Sequence, residues 1–435
     1  LLGLFLYFYF MKIDELYQLF LDCKAVNTDT RNVETNDMFF ALSGENFNGN
    51  TFANEALQKG AKYAIIDDED YRTSDKTILV SNTLKTLQKL ATYHRQQMGL
   101  KIISLTGSNG KTTTKELINT VLSKKYKTTA TIGNLNNHIG VPLTLLSMTN
   151  TTEIGIVEMG ANHKKEIEFL CQIAQPDFGY ITNFGKAHLE GFGGVEGVIE
   201  GKSELYDYLT SNNKTIFFNA DDNIQKEKLS QYKNSKGYSQ KDTDYYLINL
   251  LKANPFVNFK AENTTIQSNL IGDYNITNLS VATLIGKYFD VSINDIKTAI
   301  QDYVPTNNRS QIIKKDTNTI IMDAYNANPS SMEVALQNLN NQNEKNKIAI
   351  LGDMFELGAS ADTEHQNIAN LANQLNIDEV ILIGENFIKT KTENNKVKQY
   401  RSFEDFKTHY KPITNSYVLI KGSRGMALER VLKLL

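Results

Sequence analysis

The sequence predicts an α/β chain of three domains, and three observations carry that expectation. Apolar runs with strand character alternate with amphipathic helical stretches along most of the chain. One such run, Lys101-Ile102-Ile103-Ser104-Leu105, passes through Thr106-Gly107-Ser108-Asn109-Gly110-Lys111-Thr112-Thr113 into a helix pattern with Leu117, Ile118, Val121 and Leu122 on one face. A length of 435 residues also suits about three domains. The expected limits are 11–98 for a small α/β domain, 99–308 for a central phosphate-loop domain with a mostly parallel sheet, and 309–435 for a parallel α/β domain.

Composition narrows the class. With 41% hydrophobic and 22% charged residues the chain reads as an ordinary globular protein. A net charge of −3 gives no reason to expect nucleic acid or an anionic membrane as partner. The cysteines, Cys23 and Cys171, lie far apart without metal-ligand spacing and read as small buried hydrophobes in a reducing, cytoplasmic setting. The first ten residues, LLGLFLYFYF, are too few to span a bilayer, which needs about 20. They read as an extension upstream of a start at Met11, the alternative being a short interfacial anchor.

In the first domain, Asp37–Leu42 and Ala64–Asp67 are strand-like, Thr51–Lys59 is a short helix closed by Gly60, and Thr83–Gln97 is a helix. Thr28–Arg31 and Ser43–Gly49 are polar loops whose arginine and small hydrogen-bonding residues suit a phosphorylated ligand.

The central domain holds the clearest chemistry. Strand, glycine turn, Lys-Thr and helix together cradle a nucleotide phosphate. Backbone N–H groups turn inward, the helix N-terminus adds partial positive charge, Lys111 adds a full one, and Thr112 offers a hydroxyl to Mg²⁺. Leu105 stands where the first glycine of the full pattern would be. Other strands end in reactive groups: Ile154–Val157 in Glu158, Phe178–Thr182 in Asn183 with His188 beyond, and Thr215–Phe218 in Asp221 and Asp222. Ligands in open α/β sheets bind past the carboxyl ends of strands, so Glu158 reads as a further Mg²⁺ anchor. His188 is open between a metal role and a local one, and Asp221 and Asp222 suit a turn. Gly133–Pro142 is an amide-rich loop suited to a polar ligand. Glu200–Leu205, with Lys202 between acids, reads on its own as a solvated helix start.

From Arg309 onward, strands at Ile320–Met322, Lys347–Leu351, Val380–Ile383 and Tyr417–Ile420 alternate with helices that include Asp362–Leu375 and Met426–Leu434. The segment Gly352–Gly358 lacks the spacing of a dinucleotide fingerprint.

Taken together these motifs resemble the Mur ligase family, over a span from about Asp29 to Arg424. The phosphate loop is common to that family and to folylpolyglutamate synthases. Asn134-Leu135-Asn136-Asn137 with Gly140-Val141-Pro142, and Asp323-Ala324-Tyr325-Asn326-Ala327-Asn328-Pro329, look specific to the D-Ala-D-Ala-adding branch. The resemblance implies a UDP-binding first domain, a P-loop ATPase-type second and a Rossmann-like third. It implies an ATP-dependent acid–D-amino-acid ligase that joins D-Ala-D-Ala to UDP-N-acetylmuramoyl-tripeptide through an acyl phosphate, in peptidoglycan precursor synthesis. Thr106 to Thr113, Asn275, Arg309 and Asp323 would bind ATP. Thr112, Glu158, His188 and a CO₂-derived carbamate on Lys202 would hold two Mg²⁺ ions. Lys111, Lys202, His188 and Arg309 would be catalytic. Thr30, Arg31, Gly44 and Asn48 would meet the UDP-sugar, with Thr30 where the family usually has serine. Asn134, Asn136, Asn137, Asn326, Asn328 and Arg424 would meet the remaining substrate. A cytoplasmic monomer without membrane insertion is expected. Another amide ligase of the same superfamily, or a non-catalytic ATP-binding protein on this fold, are the alternatives.

Overall fold

The computed structural model describes residues 11–392 and 394–435. The ten residues read as an upstream extension lie outside them. The chain forms two compact units. One takes in the residues up to Ser104 with Tyr126–Gly160 and Glu168–Phe178. The other takes in Leu105–Lys125, Ala161–Ile167 and Gly179–Leu435.

In the first unit, β1 (Val26–Asn27), β2 (Met38–Phe40), β3 (Tyr63–Ile66) and β4 (Thr77–Leu79) form an all-parallel sheet in that order. Phe39, Ala41, Ala64 and Ile66 bury against Ala53 and Ala56. Those two alanines lie on the helix Ala53–Gln58, which follows a 3-10 turn at Gly49–Phe52, so the helix expected from Thr51 starts two residues later. The helix Thr83–Met98 begins where Asn82 Oδ1 accepts the Lys85 N–H and ends at Gly99, whose φ of 61° only glycine takes readily. Next come β5 (Lys101–Thr106), β6 (Thr128–Ala130) and β7 (Ile154–Glu158), neighbours in the order β5-β7-β6. Cys171 is buried as expected, whereas Cys23 is only half-buried.

In the second unit, β8 (Phe178–Ile181), β9 (Thr215–Asn219), β10 (Ser235–Ser239), β11 (Tyr246–Lys252), β12 (Phe256–Ala261) and β13 (Thr264–Ile271) follow one another across a sheet. β9, β10 and β11 are parallel, and β11, β12 and β13 form an antiparallel meander. A separate sheet contains β14 (Gln311–Lys315), β15 (Asn318–Asp323), β16 (Lys347–Gly352), β17 (Glu379–Ile383), β18 (Val397–Tyr400) and β19 (Tyr417–Lys421). Its order is β14-β15-β19-β16-β17-β18, parallel throughout except that β14 runs antiparallel to β15. Ile320, Met322, Ile350, Ile381, Val418 and Ile420 lie at the centre of its core.

The helix expected over Met426–Leu434 is instead two 3-10 turns, Arg424–Met426 and Leu428–Lys433, broken by Ala427 at φ 47°. Buried Leu428 and Val431 are three apart, a spacing that both helix types place on one face. Among the described residues no helix is long and apolar enough to cross a membrane.

One buried histidine ties the first unit together. His94 Nδ1 pairs with the Tyr17 hydroxyl at 3.2 Å, and Nε2 with the Met148 carbonyl at 2.9 Å. A carbonyl only accepts, so Nε2 carries the proton and Nδ1 accepts from Tyr17. Burial holds the pKa of His94 below its ordinary 6.5. The unfolded chain therefore takes up this proton first as pH falls, and the fold loses stability from about pH 6.5 downward. Urea unfolding between pH 7.5 and 5.5 should show that loss, and His94→Gln, which cannot titrate, should flatten it.

Candidate active site

The phosphate loop is shaped from outside itself. Gly107 and Gly110 adopt φ of 140° and 80°, and the helix Lys111–Leu122 starts directly after them. The Asn109 carbonyl accepts from Thr182 Oγ1 at 2.6 Å and Asn183 Nδ2 at 3.0 Å. The Asn109 N–H donates to Asn183 Oδ1, the Ser108 N–H to the Asn183 carbonyl, and Ser108 Oγ to the Gly185 carbonyl. The Lys111 ammonium donates to the carbonyls of Gly107 at 2.6 Å and Ser108 at 3.3 Å. A polar chain runs on from the helix: Thr114 Oγ1 donates to Asn278, Asn278 to Asn275, and Asn275 to the Ile271 carbonyl. Asn275, expected at the adenine, is thus buried with both ends of its amide bonded inside the protein.

Lys202 is the least ordinary residue here. The solvated helix start read from its acidic neighbours does not hold. It lies inside the helix Val195–Ser211, fully buried, with Nζ donating to the Ala161 carbonyl at 2.9 Å and 4.8 Å from the Phe192 ring centre. Burial first, and then the charge of Lys111, push its pKa well below the usual lysine range. His188, in left-handed backbone at φ 53°, bonds the Glu356 carboxylate through Nδ1.

The loops of the second sheet in this unit carry the remaining candidates. Asp323 accepts from the Ser310 N–H at 3.0 Å and from buried Lys421 at 2.6 Å. The Arg309 guanidinium lies 3.7 Å over the Tyr325 ring, and its Nε is buried without a hydrogen-bond partner. Asn328 caps the helix Pro329–Asn340 and donates to Asn109 Oδ1 at 2.8 Å, while Asn109 Nδ2 reaches Ser330. Its expected substrate role competes with those bonds. Asn326 is exposed, and Arg424 is exposed and paired with Glu429.

In the first unit, Glu158 ends β7 almost wholly buried. Oε1 accepts from Asn136 at 2.8 Å, and Oε2 is buried with no partner. A carboxylate oxygen in that state fits a cation. Asn137 Oδ1 accepts the N–H groups of Ile139 and Gly140 at the start of the helix Gly140–Leu146, and Asn134 is exposed. An open hollow of about 650 Å³ is lined by Ser43, Gly44, Phe47, Asn48, Asn50 and Asp67 among others. Asn48 Oδ1 accepts from Asn50, which also bonds Asp67. Thr30 and Arg31 sit on a separate 3-10 turn, where Arg31 pairs with Asp29 and lowers its carboxyl to about 2. None of Phe47, Asn50 and Asp67 stands out as a site residue in the sequence, although Phe47 lies within the polar loop Ser43–Gly49 and Asp67 ends the strand-like run Ala64–Asp67. Among the described residues no three acidic, histidine or cysteine side chains cluster as metal ligands.

A glycine-shaped loop between strand and helix, a lysine on it and a second lysine buried nearby define a nucleotide-handling α/β enzyme. Comparison with known proteins narrows that class. The Mur ligase family catalytic domain matches residues 22–98, the Mur ligase middle domain 105–286, and the Mur ligase glutamate ligase domain 308–424. The UDP-N-acetylmuramoyl-tripeptide–D-alanyl-D-alanine ligase of Bacillus subtilis is 34% identical, across 94% of this chain and 92% of its own. The Escherichia coli ligase of the same name is 30% identical, across 94% and 93%. A crystal structure of MurF from Acinetobacter baumannii matches with a TM-score of 0.82 at 30% identity, covering 97% of this chain and 98% of that one. MurF from Thermotoga maritima in complex with ADP matches at 0.81 and 27% identity, covering 95% and 97%. The chain belongs to the Mur ligase family.

Adding a Cβ at Gly107 would bring it 1.9 Å from Thr182 Oγ1 and 2.9 Å from the Thr182 nitrogen, at a φ that side chains avoid. Gly107→Ala should therefore weaken ADP binding at least about tenfold by calorimetry, an expected cost of about 1.4 kcal/mol or more, while circular dichroism stays unchanged.

Proposed function

We propose that this protein joins D-Ala-D-Ala to UDP-N-acetylmuramoyl-tripeptide, coupled to the cleavage of ATP to ADP and phosphate, and so forms the pentapeptide precursor of peptidoglycan. The observation that carries this reading is near full-length similarity to ligases bearing that name. The nucleotide-linked substrate assigns the reaction to the cytoplasm.

The chemistry follows from charge. A substrate carboxylate attacks the γ-phosphorus of ATP, and the bond to the β,γ-bridging oxygen breaks to release ADP. The amine of D-Ala-D-Ala then attacks the acyl carbon, loses a proton, and expels phosphate. The first step brings two anions together. Lys111 and Arg309 offset that repulsion, and Arg309 enters with an N–H donor that no protein acceptor holds. Mg²⁺ would neutralise phosphate charge, with Thr112 and His188 as candidate ligands in the second unit; in the first unit the unpartnered Glu158 oxygen fits a cation. Lys202 suits carbamate formation: its depressed pKa favours the neutral amine, whose lone pair adds to CO₂ with loss of one proton to solvent. The product would offer an anionic oxygen where a lysine otherwise offers a cation. The hollow at Gly44 and Asn48 is assigned to the UDP-sugar.

Phosphate release with ATP, Mg²⁺ and UDP-N-acetylmuramoyl-tripeptide tests this directly. Release should require D-Ala-D-Ala and fail with D-Ala, L-Lys, meso-diaminopimelate or L-Glu. Release with another amine would move the chain to a different ligase, and none with any amine would end the enzymatic reading. Lys202→Ala should lose about 10²–10³-fold in kcat, the scale for removing one electrostatic stabiliser. Short carboxylic acids should partly restore it. A folded, inactive variant without rescue would count against the carbamate.

A further inference from the structure

The helix that begins at Lys111 carries Glu116 five residues on, and this carboxylate holds a segment far along the chain. One oxygen accepts from the Tyr303 hydroxyl at 2.5 Å and the other from Asn307 Nδ2 at 3.0 Å. The nearest cation, Lys115 Nζ, is 3.7 Å away. Tyr303 and Asn307 belong to the connection between the helix Ile293–Asp302 and β14, and that connection delivers Arg309.

Beyond Asn307 the backbone is tightly constrained. Asn308 and Ser310 are left-handed, at φ 56° and 53°, on either side of Arg309. Such conformations cost energy in non-glycine residues and persist where surrounding contacts over-determine them. Here the contacts are visible. The Tyr325 N–H donates to the Asn308 carbonyl at 3.3 Å, the Ser310 N–H to Asp323 at 3.0 Å, and the Tyr274 and Ser310 hydroxyls meet at 2.7 Å. On the near side, the side chains of Tyr303 and Asn307 both run to Glu116.

We propose that Glu116 is a positioning residue for phosphoryl transfer. It fastens the arginine-bearing connection to the phosphate-loop helix and so fixes the spacing between Lys111 and Arg309. This rests on the reading of Arg309 as a γ-phosphate group. A cation displaced by about 1 Å can cost about 10²-fold in rate, whereas ADP lacks the phosphate that Arg309 serves.

The test is a mutant cycle on the full-length chain, read by kcat, by ADP affinity in calorimetry and by thermal unfolding. Glu116→Ala should lower kcat by about 10²-fold with ADP affinity within about twofold. Glu116→Gln and Tyr303→Phe should each give smaller losses, and Tyr303→Phe serves alone if Glu116→Ala does not fold. Glu116→Ala combined with Arg309→Ala should be no slower than Arg309→Ala alone, because the carboxylate would have nothing left to position. Additive losses, or a lowered melting temperature with unchanged kcat, would overturn the proposal and leave Glu116 a stabilising contact. Wild-type kcat in Arg309→Ala would instead remove the reading of Arg309 on which it stands.

Discussion

The phosphate loop takes its shape from a single carbonyl oxygen, that of Asn109, and the two donors that reach it from Thr182 and Asn183. The loop from Gly107 to Gly110 has no apolar side chain to pack and two residues in conformations that favour glycine. Its backbone groups must nevertheless be satisfied, because buried peptide groups rarely go unpaired. The end of β8 meets that requirement by bonding Ser108 and Asn109 in turn. Asn109 then uses its side chain to meet Asn328 and Ser330. The loop is thus a junction held by distant segments more than a turn stabilised by its own residues.

Two of the buried lysines in this unit, Lys421 and Lys202, solve the same problem in opposite ways. Removing an ammonium from water is costly unless it is paired or gives up its proton. Lys421 is paired, 2.6 Å from Asp323, and in turn fixes the carboxylate that holds the Ser310 backbone. Lys202 donates instead to a backbone carbonyl with its side chain fully buried, and that burial, together with the charge of Lys111, pushes its pKa well below the usual lysine range. Pairing keeps a lysine structural, whereas a neutral amine is a nucleophile.

What the sequence made legible divides along a physical line. β16, β17 and β19 are buried apolar runs and could be read from pattern alone. β18, Val-Lys-Gln-Tyr, is a half-exposed edge whose polar residues hid it, and the meander of β11 to β13 mixes polar and apolar residues on a partly exposed surface. The phosphate loop was readable because its function is local in sequence. Glu116 and Glu356 were not, since their partners lie 168 to 191 residues away. The asparagines show a different limit. Asn328 caps a helix, Asn137 accepts N–H groups where another begins and Asn136 holds Glu158, and the amide that suits a polar substrate suits those tasks equally well.

One strand running against its sheet has a consequence for chain geography. β14 pairs antiparallel with β15, with Gln311 opposite Met322. The chain therefore enters this sheet at the end where its parallel strands finish, and Arg309 arrives beside Asp323 and the loops that follow β16 and β19. A five-residue strand rises about 3.3 Å per residue, so a parallel first strand would have brought the arginine in roughly 16 Å away, at the opposite rim. Direction reversal at one edge is what lets a residue that precedes the sheet act alongside residues that follow its strands.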